Sequence, residues 1–144
     1  MIRQLNFAAA ALFAPALLAL AAPPALAQTS IDGRYVDQGG YVEITVAPCG
    51  AHRCGTITRI IRRKPGEPDN DVHNDNRALR SRPILGIRVL SNLTWDDGAW
   101  RGSVYNPEDG GTYSASVRPG SGGALSVRGC VAIICRTVTW PAAD

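Results

Sequence analysis

From Gly33 to Trp140 the chain is cut at short, fairly regular intervals by turn chemistry. Between the cuts lie brief runs rich in β-branched and aromatic residues, and no convincing amphipathic helix. That rhythm predicts an all-β fold. It is clearest at Tyr41–Val46, where Val42, Ile44 and Val46 alternate with Glu43 and Thr45. A period of two marks a strand with one buried face. Gly33–Val36 precedes this run, and Thr56–Ile61 follows it after a turn at Pro48–Gly55. Pro83–Leu90, Ala99–Asn106, Thr112–Val117, Ala124–Gly129 and Arg136–Trp140 complete eight candidate strands. The connecting turns read Ser91–Gly98, Pro107–Gly111 and Pro119–Gly123. They use Asp, Pro and Gly, which preset φ or tolerate φ > 0. Consecutive hairpins favour an eight-stranded antiparallel up-and-down barrel, whose closure removes exposed edges. Such a barrel is filled by side chains or holds one small ligand.

One segment breaks the rhythm. Asp69–Gly86, DNDVHNDNRALRSRPILG, is polar and mostly without strand character. Loops this long in small domains act as lids or as structured surface loops. On a ligand-binding reading, Asp71, Asn74, Arg80 and Arg82 converge at the barrel mouth and present charge to a ligand. On a structural reading, Asp71 or Asp75 accepts a bidentate pair from Arg82, while Asn74 caps a short turn. The structural reading is favoured, because a loop so polar must satisfy its own backbone. The alternation Asp69, Asp71, His73, Asp75 suggests a calcium loop but fails its pattern. Asn74 stands where Gly is needed, and Arg80 where a bidentate Glu belongs. No metal or cofactor is expected.

The N-terminus predicts location. Met1–Ala27 has one charge, Arg3, then an apolar run, and closes on Ala25-Leu26-Ala27. This is the pattern of a secretory signal peptide cleaved after Ala27. Pro15, Pro23 and Pro24 interrupt a run already short of the ~20 residues a membrane span needs. Residues 28–144 then form a single domain without an integral membrane segment, periplasmic or secreted. The formal net charge of +3, to which Arg3 contributes, is too small to suggest nucleic acid as a partner. The basic run Arg62-Arg63-Lys64 reads as a solvated strand end, offset by Glu67, Asp69, Asp71 and Asp75.

Four cysteines, Cys49, Cys54, Cys130 and Cys135, form two pairs with C-x4-C spacing. In an exported domain they are expected as disulfides rather than a zinc site. Spacing leaves all three connectivities open. No catalytic motif occurs: His52 and His73 lie in loops, and Glu108 with Asp109 occupies a turn. A non-enzyme is expected. Tyr105 and Tyr113 flank the Pro107–Gly111 turn, so pairing should bring both to one rim of an apolar pocket. Gly86, Gly102 and Ala115 would leave room there if they face inward. The expected function is binding of a small apolar or amphipathic molecule in the cell envelope. The alternative is an envelope structural or interaction protein whose barrel is packed and whose binding surface is an exposed patch.

Several motifs also occur in a familiar order. They are Cys49-Gly50 with Cys54-Gly55, Asp71-Val72-His73-Asn74, and Arg80-Ser81-Arg82-Pro83-Ile84-Leu85-Gly86. Trp100-Arg101-Gly102, then Tyr105–Tyr113, then Arg128-Gly129 and Trp140 continue the series. In these the chain resembles the domain-of-unknown-function family 2147, small exported bacterial proteins with a lipocalin-like barrel. The resemblance spans residues 28–144 and implies fold and export, with no reaction attached. Cys130 and Cys135 fall outside the family's common pattern, so a bridge confined to Cys49–Cys54 in relatives implies local pairing of both pairs here. Gly33-Arg34-Tyr35 resembles the Gly-x-Trp that opens lipocalin barrels. That likeness implies an aromatic ring closing the barrel bottom beneath a late arginine, Arg128 or Arg136.

Overall fold

The computed structural model describes residues 27–144, so the expected leader, except for Ala27, lies outside the described residues. Eight strands run in order: β1 (Gly33–Val36), β2 (Val42–Cys49), β3 (His52–Ile60), β4 (Arg88–Asp96), β5 (Ala99–Asn106), β6 (Gly111–Pro119), β7 (Leu125–Val131) and β8 (Ile134–Trp140). Each pairs antiparallel with the next in one up-and-down sheet, β1 through β8. The sheet curls until its edges meet at a short join. Tyr35 bridges Ala142, Val36 N–H donates to the Pro141 carbonyl at 2.8 Å, and Ala143 N–H to Arg34 at 2.9 Å.

The alternation predicted for β2 decides its packing. Ile44 and Val46 are buried on the inner face. Glu43 lies on the outer face and is nevertheless buried, because the stems of Arg34 and Arg59 cover it. Arg59 approaches its carboxylate at 2.7 Å and Arg34 at 3.4 Å. The Arg59 hydrogen bonds hold the Glu43 carboxyl below the usual carboxylate range.

The fourth strand differs from expectation. Pro83–Ile87 is loop, and the strand instead continues through Ser91–Thr94 to Asp96, leaving Asp97-Gly98 as the turn. Pro83 lacks an N–H for the ladder, and Gly86 adopts φ 92°. The polar Ser91-Asn92 pair is a bulge, with Asn92 at φ 53° and one extra residue opposite β5. Strict alternation would place Leu90 and Leu93 on opposite faces. The bulge turns both inward, and both are fully buried.

Local disulfides join Cys49 to Cys54 and Cys130 to Cys135, as the resemblance implies. Cys130 directly faces Cys135 across its hairpin. Cys49 instead faces His52, and Cys54 faces Ala47, so the first bridge is diagonal. It tightens a two-residue turn, Gly50-Ala51, in place of the broader expected loop. The two bridges lie at opposite ends of the barrel.

One end is sealed. Residues 29–32 cross it, with Ile31 buried inside. Trp100 Nε1 donates to the Thr29 carbonyl at 2.8 Å and Tyr35 Oη to that of Ile31 at 2.9 Å. Trp95 meets Trp100 edge-on with centroids 5.8 Å apart. The arginine over this floor is Arg53, 5.2 Å from the Trp100 ring and ion-paired to Asp32 at 2.7 Å. Arg136, expected here, sits near the opposite end of β8, and Arg128 points to the outer face of β7.

Candidate functional site

The inner faces of the strands, with the rim around them, bound an open cavity of about 650 Å³ at the unsealed end. Its wall is the inward phase of the alternation: Ile44, Ile57, Val89, Val104, Val127 and Val138, with Trp140 deeper. Gly129 is the small residue that opens this space. A Cβ there would lie 3.3 Å from Val104 Cγ1 and 3.6 Å from Tyr113 Cβ. Of the residues expected to leave room, none lines the cavity, although Ala115 does face inward. Gly102 faces the bulge, and its Cβ would fall 2.4 Å from the Ser91 carbonyl oxygen, so β4 backbone fills the space. Gly86 lies exposed in the loop. Ala115 is buried on the inner face.

The rim is polar. Arg62 lies over the Tyr41 ring at 4.5 Å and Lys64 at 4.8 Å. Arg63 pairs with Asp69 at 2.6 Å, and Lys64 pairs with Glu108 across the mouth. Tyr113 Oη donates to Asp109 Oδ2 at 2.8 Å, and this bond, foremost, raises the pKa of its phenol. Arg136 faces inward opposite Gly129 and, among the described residues, has no acidic partner.

The long loop forms a separate construction on the outer wall. The Asp71 side chain is 0% exposed and accepts three hydrogen bonds. Arg82 Nε donates to Oδ2 at 2.8 Å, and its Nη2 makes an ion-pair contact with the same oxygen, also at 2.8 Å. Asn74 Nδ2 adds a second at 2.8 Å, and Tyr105 Oη donates the third, to Oδ1 at 2.6 Å. Backbone reinforces the clamp, since Asp71 N–H donates to the Arg82 carbonyl at 3.0 Å. Burial, then the Asp71 hydrogen bond, pushes the Tyr105 phenol up. Arg80 Nε reaches the Asn74 carbonyl at 2.7 Å, and Asn76 caps the 3₁₀ turn Arg77–Leu79.

Strand register separates the two tyrosines. Tyr113 pairs with Val104 and Tyr105 with Thr112, so their rings lie on opposite faces of the sheet. Tyr113 faces the cavity. Tyr105 faces outward beneath the loop, with Arg82 5.3 Å from its ring centre, and reaches the cavity only at its edge. Of the expected ligand-binding residues, Tyr113 and Tyr105 therefore touch the cavity, while Asp71, Asn74, Arg80 and Arg82 bond one another on the outer wall and do not line it. Gly129, Tyr41 and Arg136 are among the lining residues the sequence reading missed. The phase of Leu125, Val127 and Gly129 on β7, opposite Val138 and Arg136 on β8, is the signal that marks Gly129 and Arg136 as inward.

Gly110 joins the two constructions. At φ 74° it turns the β5–β6 hairpin, and its Cα passes so close to the loop that a Cβ would overlap the His73 carbonyl oxygen. Among the described residues, no three His, Cys, Asp or Glu side chains gather as a metal-holding group. No described helix is long and apolar enough to cross a membrane.

A meander of eight strands curled around an apolar cavity, sealed by aromatic rings at one end, defines a lipocalin-like barrel. The solved structure of protein HP1028 from the human pathogen Helicobacter pylori, described as belonging to the lipocalin family, is similar, with a TM-score of 0.66. The two share 21% identity over 81% of this chain and 85% of that one, a likeness of fold. The chain belongs to domain-of-unknown-function family 2147, uncharacterized proteins conserved in bacteria, which it matches over residues 32–141. No curated protein matches it.

Proposed function

We propose that the barrel binds one small apolar or amphipathic molecule after export to the periplasm or beyond the cell, and that it is not an enzyme. The observation that carries this reading is the apolar-walled cavity of about 650 Å³, sealed at one end and open at the other. Pockets of this order suit one small ligand, whose apolar surface gains roughly 25 cal/mol per Å² on leaving water. Val104, Val127 and Val138 line the apolar part, and Tyr113, Tyr41 and Arg136 supply polar contacts at the rim. Tyr105 supports the rim from outside by holding the loop. The leader pattern and two disulfides support export.

Mass spectrometry of the natively purified protein, with displacement of an environment-sensitive dye, tests the reading. Gly129→Leu should narrow the cavity and weaken dye binding several-fold while the barrel stays folded. Tyr113→Ala should weaken binding several-fold. Equal dye binding by wild type and Gly129→Leu would reject the cavity as the site.

A further inference from the structure

The tip of the β7–β8 hairpin is apolar where solvent exposure is greatest. Val131, Ile133 and Ile134 are 58%, 96% and 71% exposed. The turn is two residues, Ala132-Ile133, with Ala132 at φ 51°. A first turn position with positive φ is ordinarily Gly, because an L side chain is strained there. Apolar residues thus occupy the tip despite a conformational cost, and Cys130–Cys135 fixes its base.

Among the described residues, the remaining large exposed aliphatic side chains, Ile61, Val72, Leu79 and Leu85, follow β3 or lie in the long loop. None belongs to the sealed end. The only charges on the hairpin are Arg128 and Arg136, neither with an acidic partner among the described residues. Arg136 stands two residues from Ile134, roughly 7 Å along an extended strand. Interfacial segments bury their apolar face ~5–10 Å into the headgroup boundary. With the tip at that depth, Arg136 lies level with lipid phosphates. Three side chains fall far short of the ~1,200 Å² that a stable protein interface buries.

We infer that this hairpin docks the open end of the barrel onto an anionic lipid surface, with Ile133 and Ile134 inserted and Arg136 and Arg128 at the headgroups. Val131, Ile134 and Arg136 also line the cavity, so the docked tip places the mouth at the membrane. The docking is separate from the binding of a molecule inside.

Co-sedimentation with vesicles of phosphatidylethanolamine and phosphatidylglycerol, against phosphatidylcholine alone, tests it. The protein should bind the anionic vesicles and lose binding as salt rises. Ile133→Ser should weaken partitioning about tenfold, from the transfer energy of one aliphatic side chain. Arg128→Gln with Arg136→Gln should remove the preference for anionic vesicles. Unfolding midpoints show that each variant remains folded. Absence of vesicle binding, or Ile133→Ser binding like wild type, overturns the inference. So does equal affinity for neutral vesicles, or a dimer in lipid-free buffer that Ile133→Ser dissociates. Dye binding in the cavity, read on the same variants without vesicles, reports separately on the interior.

Discussion

The two ends of the barrel are built from the same strands and solve opposite problems. At the sealed end, inward positions carry Trp95, Trp100 and Leu93, and residues 29–32 cover them, the Thr29 and Ile31 carbonyls accepting from Trp100 and Tyr35. At the open end the inward positions shrink to Val104, Val138 and Gly129, and the rim carries paired charges. The long loop belongs to the second end but does not plug it, because its buried carboxylate is turned to the outer wall. Packing stabilises one end and polar bonding the other. The free space follows from that division, since the clamp steadies the rim without filling the interior.

The largest expected effect breaks the sealed end. Trp100→Ala removes a buried ring from the wall and the donor to Thr29, and should cost about 4 kcal/mol. Chemical denaturation measures it. A loss under about 1 kcal/mol would show that the wrapped end is not the stabilising one. Next comes the clamp. Asp71→Ala leaves three donors without their acceptor and should cost about 3 kcal/mol. Arg82→Ala should cost less, about 2 kcal/mol, because the Arg82 side chain is 36% exposed and water replaces part of the pair. Hydrogen exchange should show protection lost in the loop before the strands. Uniform loss would make the clamp part of the core.

The disulfides allow the same comparison with chemistry held constant. Each closes a loop with a separation of 5, so chain entropy gives about 2 kcal/mol for either. Cys54 is buried in the core, whereas Cys135 is exposed. Replacing Cys49 and Cys54 by Ser should therefore cost more than replacing Cys130 and Cys135, by about 1 kcal/mol of apolar burial. Equal losses in denaturant titrations would remove this distinction between the ends.

How far the sequence reached follows from which forces are local. β2 was legible because Val42, Ile44 and Val46 repeat with the period of a strand. The closing turns were legible from Asp97-Gly98 and Pro107–Gly111. β4 was misplaced because a bulge looks polar in sequence, and only the packing of Leu90 and Leu93 shows that the strand continues through it. The partners of Asp71 were legible in type, since Arg82 and an acid of 69–75 were expected to pair. The face they occupy was not, because it depends on the β5–β6 register that puts Tyr105 outside and Tyr113 inside. The approach of the loop to Gly110 is a meeting of distant backbone, which no pattern within the turn records.

The smallest expected effect is a titration, and it touches both ends. Burial, then Asp32, raises the Tyr35 phenol under the N-terminal cover, while burial and Asp71 raise that of Tyr105 at the clamp. A pKa raised in the folded state means that the protonated phenol is favoured there. The contribution is fully present below the unfolded value of ~10 and is lost as pH rises through the folded one. Stability should thus be flat through neutral pH and fall in the alkaline range as both phenols ionise. Tyr35→Phe should cost about 1 kcal/mol near neutrality, its one hydrogen bond, and Tyr105→Phe about 2 kcal/mol, since its hydroxyl donates to Asp71 and accepts from Asn74. Each should also flatten part of the alkaline decline. Tyr105→Phe should cost the more of the two, since its hydroxyl serves a buried carboxylate and that of Tyr35 a backbone carbonyl. Thermal midpoints of both variants across the alkaline range decide it. A decline unchanged by Tyr105→Phe would mean that the clamp tolerates a phenolate beside Asp71, and that the alkaline loss begins at the sealed end.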